Sequence, residues 1–292
     1  TVCLDLDENK ECDPGEPTAT SGAGGEFEIT DATQAQRDDY PLLVVIEEGV
    51  TVDEDTVDDS NPDGVPYDQP LTLSAPAGFT FVSPLSTMVQ SEIEGGKSLA
   101  LAEDSVQEQL GTEIDLNDDY VAKQSDASLT VEQRAEYEQL HQVAQVTAQV
   151  ISDNLENLAA AAEEDDISLD DLISLIVNEV FQALDEITEE VEVIANDDSQ
   201  TFDADAVAEQ VDDEVVMIEE DTLEEQVDLN NASQDAVATS LADIVNGDGV
   251  NWFWSGREDG NNYLEYGAFG FEIKEGVEEF YETEYEWNGS EF

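Results

Sequence analysis

The sequence predicts a multi-domain α+β chain with a β-rich N-terminal domain over residues 1–82, a helical domain over 83–247 and an antiparallel β-meander over 248–292. Three observations carry this reading. Residues 1–82 alternate apolar and polar side chains and are broken by Gly, Pro, Asp and Asn, the pattern of half-buried strands and their turns. Residues 83–247 change to a helical period punctuated by capping residues. Residues 248–292 return to alternation with many aromatics, and a chain of 292 residues is too long for one simple core.

In order, candidate strands fall at 2–6, 26–30, 42–47, 71–73 and 79–82. Ser83-Pro84 is an N-cap followed by Pro at the first helical position, and that helix should stop at Gly95-Gly96. Ser98 caps a second helix ending near Gly111. Thr130 and Gln133 form a capping box for a long helix to about Ala162, with Leu140, Val143, Val146, Val150, Ile151, Leu155 and Leu158 along one stripe. Ser168 caps another helix that buries Leu172, Ile173, Ile176, Val180, Leu184 and Ile187, and short helices follow near 203–217 and 233–245. In the last zone Asp259-Gly260 and Glu275-Gly276 sit where hairpin turns belong. The chain begins inside an apparent strand and ends just past a turn at Asn288-Gly289, so it reads as a piece of a longer polypeptide.

Seventy-five acids stand against seven bases, a net charge of −68. Such a surface repels phosphates, which excludes nucleic acid and anionic lipid as partners and favours cations or basic surfaces. Its self-repulsion needs screening, and near seawater ionic strength the Debye length falls to about 4 Å. The composition therefore suits a halophilic or marine secreted protein. No apolar run is long enough to cross a membrane.

The sharpest local signal is Asp5-Leu6-Asp7-Glu8-Asn9-Lys10-Glu11-Cys12-Asp13-Pro14-Gly15-Glu16. Numbered as a calcium loop, it puts oxygen donors at Asp5, Asp7, Asn9, Asp13 and Glu16, with the Glu11 backbone carbonyl between them. Hard cations need several oxygens at about 2.4 Å from one tight turn, with a distal carboxylate closing the shell. Lys10 stands where such a loop wants Gly, and a strand rather than a helix leads in. The competing reading is chance spacing in an acid-rich chain. Cys3 and Cys12 are expected to bridge, pinning the strand to the loop in an oxidising compartment, against the alternative of two free thiols.

The run from Val2 to Thr30, with Cys3-Leu4-Asp5-Leu6-Asp7, then Cys12-Asp13-Pro14-Gly15-Glu16-Pro17, then Gly24-Gly25-Glu26-Phe27, resembles the opening of B-type domains in serine-aspartate-repeat surface adhesins and the related carboxypeptidase-regulatory-like β-sandwiches. The resemblance implies a prealbumin-like Greek-key sandwich over 1–82 whose first loop binds Ca2+ through Asp5, Asp7, Asn9, Asp13 and Glu16. The order of a β domain, Ser83-Pro84 and then helices is also similar to secreted lipoproteins of marine proteobacteria.

Other constellations read more plainly. Asp59-Ser60-Asn61-Pro62-Asp63-Gly64 and Asp115-Leu116-Asn117-Asp118-Asp119 read as solvated turns before further calcium sites. His141 is the only histidine, on a helix, and no Gly-x-Ser-x-Gly elbow accompanies it. No catalytic residue is assigned, and the chain reads as a non-enzyme. Trp252 and Trp254 share a strand face; they are core before they are sugar-stacking residues. The expectation is an extracellular or cell-surface structural or adhesive protein. Calcium stabilises it, and it self-associates or meets another surface protein, with a carbohydrate-binding module and a glycan ligand as the alternative. Strand sharing through open ends would suit assembly into a filament.

Overall fold

The computed structural model describes residues 1–57, 62–67, 69–195, 201–212, 218, 222–237, 250–258, 261–274 and 277–286. It divides into two compact units, Thr1–Asn230 and Asn231–Phe292.

The first unit opens with six short strands: β1 (Val2–Leu4), β2 (Thr18–Ala19), β3 (Leu42–Ile46), β4 (Val52–Asp53), β5 (Val65–Pro66) and β6 (Leu71–Ala75). Four of them form one antiparallel sheet in the order β2-β1-β3-β6, while β4 and β5 make a separate two-stranded ribbon. Helix α1 (Gln34–Asp39), capped by a Thr33–Gln36 box, leads into β3. Val2, Leu4, Leu42 and Ala75 share a small core with Ile29, whereas Ile46 and Leu71 at the other end of the sheet belong to the helical core.

The helices are α2 (Pro84–Glu94), α3 (Leu99–Leu110), α4 (Tyr120–Lys123), α5 (Val131–Glu164), α6 (Leu169–Gln182), α7 (Leu184–Ala195), α8 (Ala204–Asp212) and α9 (Leu223–Val237). Local chemistry sets their starts. Ser83 and Ser86 cap α2 reciprocally around Pro84, Thr130 and Gln133 do the same for α5, and the Ser168 hydroxyl accepts the Asp171 N–H of α6. Gly111 ends α3 in the left-handed conformation, φ 61°. One face of α5, from Leu140 through Val150 to Ala162, is buried against α6, α7 and α8. The single helix expected after Ser168 breaks at Ala183, but Leu184 and Ile187 of α7 continue its buried face.

The expected fold class is corrected. The chain is predominantly helical, and unit 1 holds one small four-stranded sheet where a Greek-key sandwich was expected. The reason lies at the β6 edge. Helix α2 closes it: Thr87 Oγ1 accepts the Ser74 N–H at 2.9 Å, and Ser86 Oγ donates to the Ser74 carbonyl at 2.8 Å. The candidate strands at 26–30 and 79–82 form no ladder. Their backbones are used elsewhere: Asn117 Oδ1 accepts the N–H groups of Thr80 (2.7 Å) and Phe81 (3.3 Å), and Arg37 donates to the Ile29 carbonyl. Their side chains Phe27, Ile29, Phe79 and Val82 still pack on the sheet.

In the second unit, strands β7 (Val250–Glu258), β8 (Asn261–Lys274) and β9 (Val277–Glu286) pair antiparallel, β7 with β8 and β8 with β9. The expected aromatic meander domain is corrected to this three-stranded sheet, for which no hydrophobic core is described. The hairpin turns placed at 259–260 and 275–276, and Asn288-Gly289, lie outside the described residues.

The clasp between α2 and β6 is open to test. Thr87→Val keeps the shape and leaves the Ser74 N–H unpaired. Destabilisation of about 1–3 kcal/mol is expected, read as a lower denaturant midpoint at unchanged slope. An unchanged midpoint would show that water satisfies this edge.

Candidate metal centre

The centre is built on the turn that follows β1. The Leu4 N–H donates to the Pro17 carbonyl (3.1 Å) and the Asp5 N–H to the Pro41 carbonyl (3.1 Å), so the sheet fixes both ends of the turn. Asp5 is buried, 1% exposed. Its carboxylate accepts the N–H groups of Asn9 (3.1 Å) and Lys10 (2.8 Å). Glu16 faces it and accepts the N–H groups of Leu6 (2.6 Å) and Asp13 (3.0 Å). The loop is thus wound around two carboxylates. Exposed Asp7 completes the group, and one oxygen from each of Asp5, Asp7 and Glu16 lies within 4.8 Å of the others.

Tight winding requires left-handed backbone. Gly15 takes φ 118°, but Glu8 (58°) and Lys10 (65°) also sit in this region. Such geometry is uncommon for residues with a Cβ. Lys10 therefore occupies the sharp turn that a calcium loop gives to Gly. The Cys3–Cys12 disulfide, Cα–Cα 5.7 Å, ties β1 to the far side of the turn. Closing a loop of this length is worth about 2.5–3 kcal/mol in the chain-entropy view.

The donor set is all oxygen, which suits a hard cation such as Ca2+ or Mg2+, and both cysteines are spent in the disulfide. Of the residues marked in the sequence, Asp5, Asp7 and Glu16 converge. Asn9 and Asp13 hold each other instead, Nδ2 to carboxylate at 2.8 Å, while Asn9 Oδ1 accepts the Glu11 N–H at 2.8 Å. The carboxylates of Glu11 and Asp13 lie outside the convergent group.

Sequence reasoning missed the seat of this loop. Lys10 Nζ pairs with Glu94 Oε2 of α2 at 2.9 Å. Asp170, in the first turn of α6, has its carboxyl pushed up from the ordinary value by burial first and by Glu11 second, with Lys10 opposing. The one available signal was a lysine where the turn wants glycine.

The remaining constellations take structural roles or fall outside the description. In the 115–119 turn, Asp115 accepts the Asn117 N–H, Asn117 holds segment 80–81, and Asp119 caps α4. Asp59 and Asn61 lie outside the described residues. Trp252 and Trp254 pair with Gly267 and Glu265 across β7 and β8; their side chains are outside the description. His141 is half-buried on α5, its Nδ1 3.2 Å from Gln124 Nε2. A cleft of about 540 Å³ between the 110–118 segment, α5 and α7 carries Glu113, Asp115, Asp118, Glu136 and Glu192 and no base among its lining residues. On its wall Tyr137 donates to Asp118 at 2.9 Å, and burial followed by Asp118 pushes the phenol up. No family model, no curated protein and no solved structure matches the chain.

Glu103 of α3 gives a pH test of these turns. It accepts the Leu116 N–H at 3.3 Å, and burial is the largest cause raising its carboxyl above 4.5, with Asp115 adding to the rise. A folded pKa above the unfolded one means that the charged form costs stability. That cost is present above the folded pKa and vanishes as pH falls below the unfolded one. Glu103→Gln should therefore melt higher than the parent at pH 7, with the difference closing by about pH 4. A difference that persists at pH 4 would show that ionisation is not its origin.

Proposed function

We propose that the chain is a structural or adhesive protein of the cell surface or extracellular space whose N-terminal loop is stabilised by Ca2+, and that it is not an enzyme. One observation carries the reading. Asp5 is 1% exposed, and its oxygen lies within 4.8 Å of those of Asp7 and Glu16, in a loop closed by a disulfide. Three carboxylates held this close repel one another, and a divalent cation turns that repulsion into attraction. Three more features support the setting. The disulfide belongs to an oxidising compartment. The net charge of −68 keeps the protein soluble in salt. No helix among the described residues is long and apolar enough to cross a membrane. Cations are the expected small partners, with further copies of the chain or another surface protein as the macromolecular ones.

The test is thermal unfolding in about 1 M NaCl, where non-specific attraction of Ca2+ to the acid surface is screened to about 3 Å. Ca2+ at a hundred times its Kd should add about 2.7 kcal/mol, and a unit of this size should melt about 5–10 °C higher. Asp7→Asn should lose most of that shift. An equal shift in Asp7→Asn, or none in the parent, contradicts the reading. Light scattering on the same samples reads self-association.

A further inference from the structure

We propose that Lys10 straps the disulfide-closed loop to the helical body, so that a change within the loop is felt at the C-terminal turn of α2. The starting point is a backbone outlier. Lys10 has φ 65°, a conformation that glycine adopts freely and lysine at a cost. A residue held in such a region points to a role for its side chain. Here the lysine is tied at both ends. Its N–H is held by the buried Asp5 carboxylate at 2.8 Å, and its ammonium by Glu94 at 2.9 Å.

The chemistry of the seat fits a strap. Glu94 is the last residue of α2, and Gln90 of the same helix donates to it at 2.9 Å. An ammonium at a helix C-terminus complements the partial negative charge of the exposed carbonyls. Glu11 follows Lys10 and acts electrostatically on Asp170 at the start of α6. One cation therefore pairs with Glu94 at the end of α2 and offsets the repulsion between Glu11 of the loop and Asp170 at the start of α6. Without it the loop and the helices repel. The strap stands on the ion pair and the outlier alone. Its response to Ca2+ rests on the reading of Asp5, Asp7 and Glu16 proposed above, because Asp5 is the carboxylate that holds the Lys10 backbone.

Hydrogen exchange on the full chain tests it, in about 1 M NaCl, where a 2.9 Å contact lies within the remaining Debye length of about 3 Å. Three proteins are compared, the parent, Lys10→Gly and Glu94→Gln, each with Ca2+ and with chelator. Lys10→Gly keeps the left-handed turn and removes the whole lysine side chain, while Glu94→Gln keeps the shape and removes only the charge of its partner. With chelator, both variants should exchange the Gly95 and Gly96 amides, which close the end of α2, at least about fivefold faster than the parent, the lower end of ordinary coupling. Amides of central α5 should not change. With Ca2+, the parent should gain protection at both the loop and the α2 end, and the variants at the loop alone.

Unchanged exchange at the α2 end in both variants overturns the strap, whatever Ca2+ does. Faster exchange in the variants, with no effect of Ca2+ on the parent, supports the strap and overturns the calcium reading. Ca2+ protection that spreads to the α2 end equally in parent and variants overturns the role of Lys10.

Discussion

The constraint on which the rest of this structure depends is self-repulsion. With 75 acids and seven bases, the folded chain gathers 68 net negative charges that the unfolded chain could spread. The few bases are spent on architecture. Lys10 pairs the Asp5–Glu16 loop with Glu94 of α2, and Arg37 donates to the carbonyls of Ile29 and Ala32. Lys97 joins Glu92 to Ser105, and Lys123 joins Asp118 to Tyr137. Arg134 donates to the carbonyls of Asp126 and Leu129 (3.2 and 2.7 Å). Each of the five bases with a described side chain closes a loop or fastens an element. None decorates a helix face as an exposed counter-charge.

What holds the chain against this repulsion is a core kept free of charge. The buried face of α5 meets α6, α7 and α8 through Val, Leu, Ile and Ala. The polar groups let into that core are neutral and mostly bonded. Ser91 donates to Asn178, Asn178 to Asn230 and Asn230 to Ser174, a ladder that joins α2, α6 and α9. The helix ends show the strain instead. Helices α2, α3, α5, α6 and α7 have no base in the last turn, and α5 runs out through Glu163 and Glu164 to Asp165 and Asp166. Acids there oppose the helix dipole, and dissolved cations must supply what side chains do not.

Helix starts were legible because their signals are local. Ser83-Pro84, Thr130 with Gln133, and Ser168 each set a helix within four residues of themselves. The sandwich was not, because alternation shows which faces are apolar and not what the backbone pairs with. Segments 26–30 and 79–82 alternate like strands, and their side chains do pack on the sheet. Yet Arg37 takes up the carbonyl of Ile29 from the next helix, and Asn117, distant in sequence, takes up the N–H groups of Thr80 and Phe81. At the Asp5–Glu16 loop, the spacing marked Asp5, Asp7 and Glu16, which converge. It could not show that Asn9 and Asp13 turn toward each other. Lys10 was visible as an oddity, but its partner Glu94 is set by tertiary packing alone.

The loop and the surface are then two scales of one problem. At the loop, three carboxylates meet within 4.8 Å, the group proposed above to hold a divalent ion. Over the surface, dozens of carboxylates ask only for ionic strength. The most direct test of the second claim is stability against NaCl from about 10 mM to 2 M, with divalent ions chelated, across which the Debye length falls from about 30 Å to below 3 Å. Helical circular dichroism and melting temperature should rise steeply with salt and level off once charges more than a few ångströms apart are screened. A melting temperature that stays flat across the range would show that the acid surface imposes no such constraint, and that the core alone carries the fold.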